Sequence, residues 1–168
     1  MKRLYLGTKT DTERIHIMIT LAVMFFIFVH SAMPGEISGD ESGYFARILA
    51  SITGLSFQTA QFIVRKAAHF TEFTVLGVCL AANFNDLASR DELTEADRNT
   101  AKKVLMKHPK LAAWIAGTLY AGTDEFHQLF VEGRNCTLRD VCIDSAGVAF
   151  GIAVTAAVKA IKGDYRKR

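Results

Sequence analysis

Cysteine is scarce in this chain, three in 168 residues, and Cys79, Cys136 and Cys142 match no metal-ligand spacing. Internal repeats and low-complexity tracts are missing, and no composition shift marks a boundary, so the length fits one domain. A large excess of one charge is lacking too, and a net charge of +3 gives no case for nucleic-acid binding. Charge is thinnest in four stretches, at about 15–33, 62–84, 111–131 and 141–161.

What is there is apolar and segmented. Half of the residues are hydrophobic and mean hydropathy is positive. Each of the four stretches is close to the ~20 residues a helix needs to cross a bilayer. The first is nearly free of charge. The others have uncharged cores at Phe73–Phe84, Leu111–Thr123 and Ser145–Val158, short enough that a compact soluble helical bundle is the alternative. The basic residues decide between the two. Of 20 Lys and Arg, four lie in residues 1–14, six in 85–110 and five in 159–168, regions that four crossings place on one side. The positive-inside rule makes that side cytoplasmic.

The expected fold is therefore all-α: a four-transmembrane-helix bundle in the plasma membrane, with both termini cytoplasmic. The basic start, the apolar run Ile15–Val29 and the small residues Ser31-Ala32 resemble a signal peptide, but the long, mixed-charge N-terminal region favours a retained anchor. Residues 1–14 are read as a tail, and the first helix ends near Met33-Pro34-Gly35. His30 closes it, read as a residue of the water interface. The outer loop, 34–60, holds a polar segment and then Tyr44, Phe45, Ile48, Leu49, Ile52 and Leu55 at helical spacing. This short amphipathic helix either lies on the outer membrane surface or forms a lid on the bundle. Gly54 breaks it and Ser56 caps the next helix. In the cytoplasmic loop, 85–110, Thr94-Glu-Ala-Asp97 resembles a capping box opening a short charged helix. A disulfide between Cys136 and Cys142 on the outer side is not expected.

Polar residues cluster where that topology brings helix ends together. Asp124, Glu125, His127 and Gln128 share one arc of the third helix, while Phe126, Leu129 and Phe130 take the other side. Arg65, Lys66, His69 and Glu72 share a face at the start of the second, Arg139, Asp140 and Asp144 begin the fourth, and Arg134 lies on the connecting turn. A charge at mid-membrane costs about 2.5–3.5 kcal/mol, so these groups must face each other or a wet cavity on the extracytoplasmic side. Gly147 and Gly151, on the Asp140/Asp144 face, allow a close helix approach there.

Three uses of the cluster stay open. It can simply lock the helices together. His69, Glu72, Asp124 and His127 can hold a divalent metal, each His–carboxylate pair lying on one helical face. Arg65, Arg134 and Arg139 can bind a phosphate or carboxylate, with Lys66, Glu125, Gln128, Asp140 and Asp144 lining the site. In that case His127 or His69, with Asp124 or Glu72, is the candidate acid or base.

The motifs Arg65-Lys-Ala-Ala-His69-Phe-x-Glu72-Phe, Tyr120-Ala-x-x-Asp124-Glu125-Phe-His127-Gln128-Leu-Phe, Gly133-Arg134 and Asp140-Val-x-Ile-Asp144-x-x-Gly147 resemble the VanZ-like family. Cys136 stands where a small polar residue is expected. The resemblance implies a multi-pass bacterial membrane protein of the cell envelope, in a family named for a member that lowers teicoplanin susceptibility. Partners expected on that ground are membrane lipids and a lipid-linked cell-wall precursor or a glycopeptide.

Overall fold

The computed structural model describes residues 2–89, 107–134 and 136–165. Five helices carry the described chain: α1 (Lys2–Ser31), α2 (Gly35–Thr53), α3 (Phe57–Ala88), α4 (Pro109–Gln128) and α5 (Leu138–Tyr165). The C-terminal ends of α1 and α4 meet the N-terminal ends of α3 and α5, so these four helices run alternately up and down. Helix α3 is the hub and packs against each of the others.

Local chemistry explains several boundaries. Gly54 ends α2 with a left-handed φ of 72°, and its N–H returns to the Ala50 carbonyl at 2.9 Å. Ser56 then opens α3, its hydroxyl accepting from the Thr59 N–H at 3.2 Å. Pro109 starts α4, where a missing N–H costs nothing. Other expectations need correction. The supposed N-terminal tail is helical from Lys2, so α1 is 30 residues long. The polar segment after Pro34 is no loop: it is helical from Gly35 as the first part of α2, and that helix packs against α3. Helix α4 stops at Gln128, short of residue 131, whereas α3 and α5 extend beyond both of their expected ends. The capping box Thr94–Asp97 lies outside the described residues.

The packing is thin inside and apolar outside. Ile27, Phe73, Leu76 and Val148 fill the centre with the small residues Ala81, Ala113 and Ala121. Met18, Phe25, Leu119, Phe126 and Phe130 are all more than half exposed. A soluble bundle would reverse that distribution, since apolar surface on this scale is a binding or membrane face. Among the described residues, three helices are long and apolar enough to cross a membrane: Asp11–Ser31, Phe57–Ala88 and Leu138–Gly163. Helix α4, 20 residues long, is not among them; its last turns hold Asp124, Glu125, His127 and Gln128.

Glycine sets the spacing of α3 and α5. A Cβ at Gly147 would lie 2.6 Å from the Phe70 carbonyl oxygen, one at Gly151 would run into the Thr74 carbonyl, and one at Gly77 into the Val148 backbone. The two helices therefore touch backbone to backbone. Trp114 Nε1 donates to the Ser145 carbonyl at 3.3 Å, and the Thr118 and Ser145 hydroxyls lie 2.8 Å apart, joining α4 to α5. Tyr120 donates its hydroxyl to the Met24 carbonyl at 2.6 Å, joining α4 to α1.

Candidate functional site

Four helix ends deliver the polar side chains. At the end of α1, Ser31 Oγ donates to Asp124 Oδ2 at 2.7 Å, and Gln128 Nε2 reaches the same oxygen at 3.2 Å. Ser31, Asp124 and Gln128 are all buried. Among the described residues, the carboxylate of Asp124 is thus hydrogen-bonded by two neutral donors. One residue earlier on α1, His30 Nδ1 lies 2.6 Å from Glu72 Oε1 of α3, and the His30 and His69 rings stack at 6.1 Å.

The start of α5 is fastened by hydrogen bonds that position its acids. Thr137 N–H donates to Glu125 Oε2 at 3.2 Å, and the Thr137 hydroxyl accepts from the Asp140 N–H at 3.3 Å. Asp140 Oδ2 then meets Lys66 Nζ at 2.8 Å, with the carboxylate buried and the ammonium about a quarter exposed. Glu125 and Asp144 are each 1% exposed.

Arg134, on the turn before α5, is the buried cation of this group, 9% exposed. Its Nε donates to the Met33 carbonyl at 3.2 Å, and Nη2 finds no partner among the described residues. Burial, and then the nearby charge of Arg65, lower its pKa; Asp124, Glu125 and Glu72 act in the opposite direction. Those four charged groups are therefore all within electrostatic reach of one guanidinium. Further buried atoms without a partner among the described residues are His69 Nδ1, Glu72 Oε2, Asp124 Oδ1, His127 Nδ1, Asp140 Oδ1 and Asp144 Oδ2.

Some expected members lie apart. Arg139 is exposed, its guanidinium 4.9 Å above the Phe62 ring, because it sits about 100° around α5 from Asp140. His127 is half-buried and stacked on Phe28 at 4.3 Å. Arg65 lines a separate cavity of about 170 Å³ with His30, Ser42, Phe45 and His69, under α2. Among the described residues no group of three or more His, Cys, Asp or Glu side chains is placed to hold a metal ion. His69, Glu72, Asp124 and His127 do not close into one donor set: Glu72 is engaged by His30 and Asp124 by Ser31. The three cysteines are free.

Sequence reasoning left His30 at the interface and passed over a second polar cluster at the other end of the bundle. There His16 Nδ1 lies 2.6 Å from Asp86 Oδ2, and Asn83 Nδ2 donates to Thr20 Oγ1 at 2.6 Å. The signal was present, a polar residue at every fourth position of an apolar run (His16, Thr20), but pairing depends on which face α1 turns to α3.

A family model described as VanZ/LLP1 matches residues 16–159, a span that contains all four polar helix ends. No curated protein and no solved structure matches the chain. The chain belongs to the VanZ/LLP1 family.

Proposed function

We propose that this is a four-span protein of the bacterial plasma membrane, with both termini in the cytoplasm, whose outward-facing polar chamber binds the anionic head of a lipid or lipid-linked envelope precursor. The observation that carries the reading is Arg134. A guanidinium this buried is normally paired, because an uncompensated interior charge is costly. Here its Nε goes to a neutral carbonyl, and although the charges of Asp124, Glu125 and Glu72 offset its own, Nη2 has no partner among the described residues. An anion on that nitrogen completes the pairing, and a phosphate matches the planar donor fork of arginine. His69 and His127, each with a buried ring nitrogen that has no partner among the described residues, are the candidate proton carriers, with Glu72 and Asp124 as the candidate carboxylates. Occupation of such a chamber at the outer leaflet is also a route by which an envelope protein alters susceptibility to a glycopeptide.

Titration of detergent-purified protein with glycerol phosphate tests the reading. Native protein binds it, Arg134→Ala does not, and Arg134→Lys retains weaker binding. Equal binding by native protein and Arg134→Ala overturns it.

A second reading has its own support. The Ser31–Asp124–Gln128 bonds and the Lys66–Asp140 pair tie α1, α3, α4 and α5 together, as a purely structural lock would. On that reading Arg134→Ala lowers thermal stability and envelope phenotype in proportion, and no ligand binding is lost because none exists.

A further inference from the structure

A cavity of about 170 Å³ lies where α1 ends and α2 packs against α3. Its walls are apolar at Phe45, Val64 and Ala68 and polar at Arg65, His30 and His69. Neighbouring cations are engaged elsewhere. Lys66 meets Asp140 at 2.8 Å, Arg139 is exposed over the Phe62 ring, and Arg134 lies among the charges of Asp124, Glu125 and Glu72. Arg65 is half-buried and, among the described residues, has neither an ion pair nor a hydrogen bond. A guanidinium withdrawn from water in this way lacks its usual compensation. We infer that this cavity is a binding site for a small monocarboxylate with a short apolar tail, its carboxylate seated on Arg65. It is a second site, apart from the chamber of Arg134, and does not rest on the chamber reading.

Charge, shape and size select that class. Among the described residues, Arg65 is the one permanently charged group in the lining, and any charge on His30 is answered by Glu72 at 2.6 Å. A monocarboxylate brings one negative charge and cancels that of Arg65. A phosphate monoester carries about 1.5–2 negative charges at pH 7, and the surplus would face Phe45, Val64 and Ala68, a costly arrangement. Two coplanar oxygens also match the donor fork of arginine. His69, 6% exposed, adds a further polar group: its Nδ1 has no partner among the described residues and, in one tautomer, donates. Finally, pockets for drug-sized ligands begin at about 300 Å³. A cavity of about 170 Å³ with three apolar side chains in its wall admits a short alkyl tail and excludes a fatty acid.

Titration of the full chain in detergent with propionate, followed by calorimetry or by the ligand's NMR signals, tests the site. Native protein binds propionate. Propionamide, which keeps the shape without the charge, binds at least about tenfold more weakly. That comparison uses native protein alone, so it does not depend on a variant folding. Arg65→Gln abolishes propionate binding, Arg65→Lys retains a weaker affinity because an ammonium cannot form the bidentate pair, and Ala68→Leu excludes the ligand by filling the cavity. Saturating glycerol phosphate leaves bound propionate in place, whether or not the chamber takes it up. Absence of propionate binding, equal affinity for propionamide, or unchanged binding in Arg65→Gln overturns the site. Displacement of propionate by glycerol phosphate also overturns it, since the two anions then share one place, and the chamber reading survives that result.

Discussion

Ser31 and Asp124, 93 positions apart in the chain, share a buried hydrogen bond of 2.7 Å that closes the polar end of the bundle. Ser31→Ala removes a donor without removing the carboxylate, so Asp124 keeps only Gln128. The expected cost is about 1–3 kcal/mol, the penalty of an under-satisfied buried group. Thermal unfolding in detergent reads it as a lowered midpoint, and Asp124→Asn, which takes away the carboxylate instead, changes the midpoint less in the Ser31→Ala background than alone.

The Lys66–Asp140 pair predicts a non-additive result. Lys66→Ala strands a buried carboxylate and costs about 3–5 kcal/mol, whereas removing both partners costs less than the sum of the single changes. A double-mutant cycle by thermal or denaturant unfolding checks this. Strict additivity would mean that the 2.8 Å contact carries no coupling.

Glycine positions sort into two classes. Gly147→Ala puts a methyl group against the Phe70 carbonyl and forces α3 and α5 apart, costing about 1–3 kcal/mol as overpacking does. Gly163→Ala, where a Cβ meets nothing within 4 Å, is expected to gain about 0.5–1 kcal/mol as a helical site freed of glycine. Opposite signs from two chemically identical substitutions are the outcome to look for in melting curves.

Orientation is tested by labelling. In a background without cysteine, Thr53→Cys and Glu132→Cys react with a membrane-impermeant maleimide in intact cells, and Lys107→Cys reacts only after permeabilisation. Labelling of Lys107→Cys in intact cells would overturn the four-span arrangement.

Much of this architecture was readable from residue order. Gly54 and Ser56 are local signals, so the α2–α3 break follows from two residues alone. Gly147 and Gly151 share a face by spacing, and that face does meet α3. What escaped the sequence depends on rotation and packing. His30 pairs with Glu72 only because α1 turns that face inward, and the uniformly apolar run before it does not say which face that is. Arg139 looked equivalent to Asp140, yet one step around the helix carried it outside onto Phe62. Residues 36–43 read as a loop by composition, yet they are helical as the first part of α2, a helix that packs against α3.

The glycine contact between α3 and α5 has a mechanical consequence. Helices pressed together along their peptide planes cannot slide or part without losing contact over their whole shared length, so they act as a fixed post. The α1 side is joined by side-chain contacts instead, Tyr120 to the Met24 carbonyl and Ser31 to Asp124. Any rearrangement of the polar end is then expected to cost least at α1, where two hydrogen bonds part, and most at the α3–α5 seam.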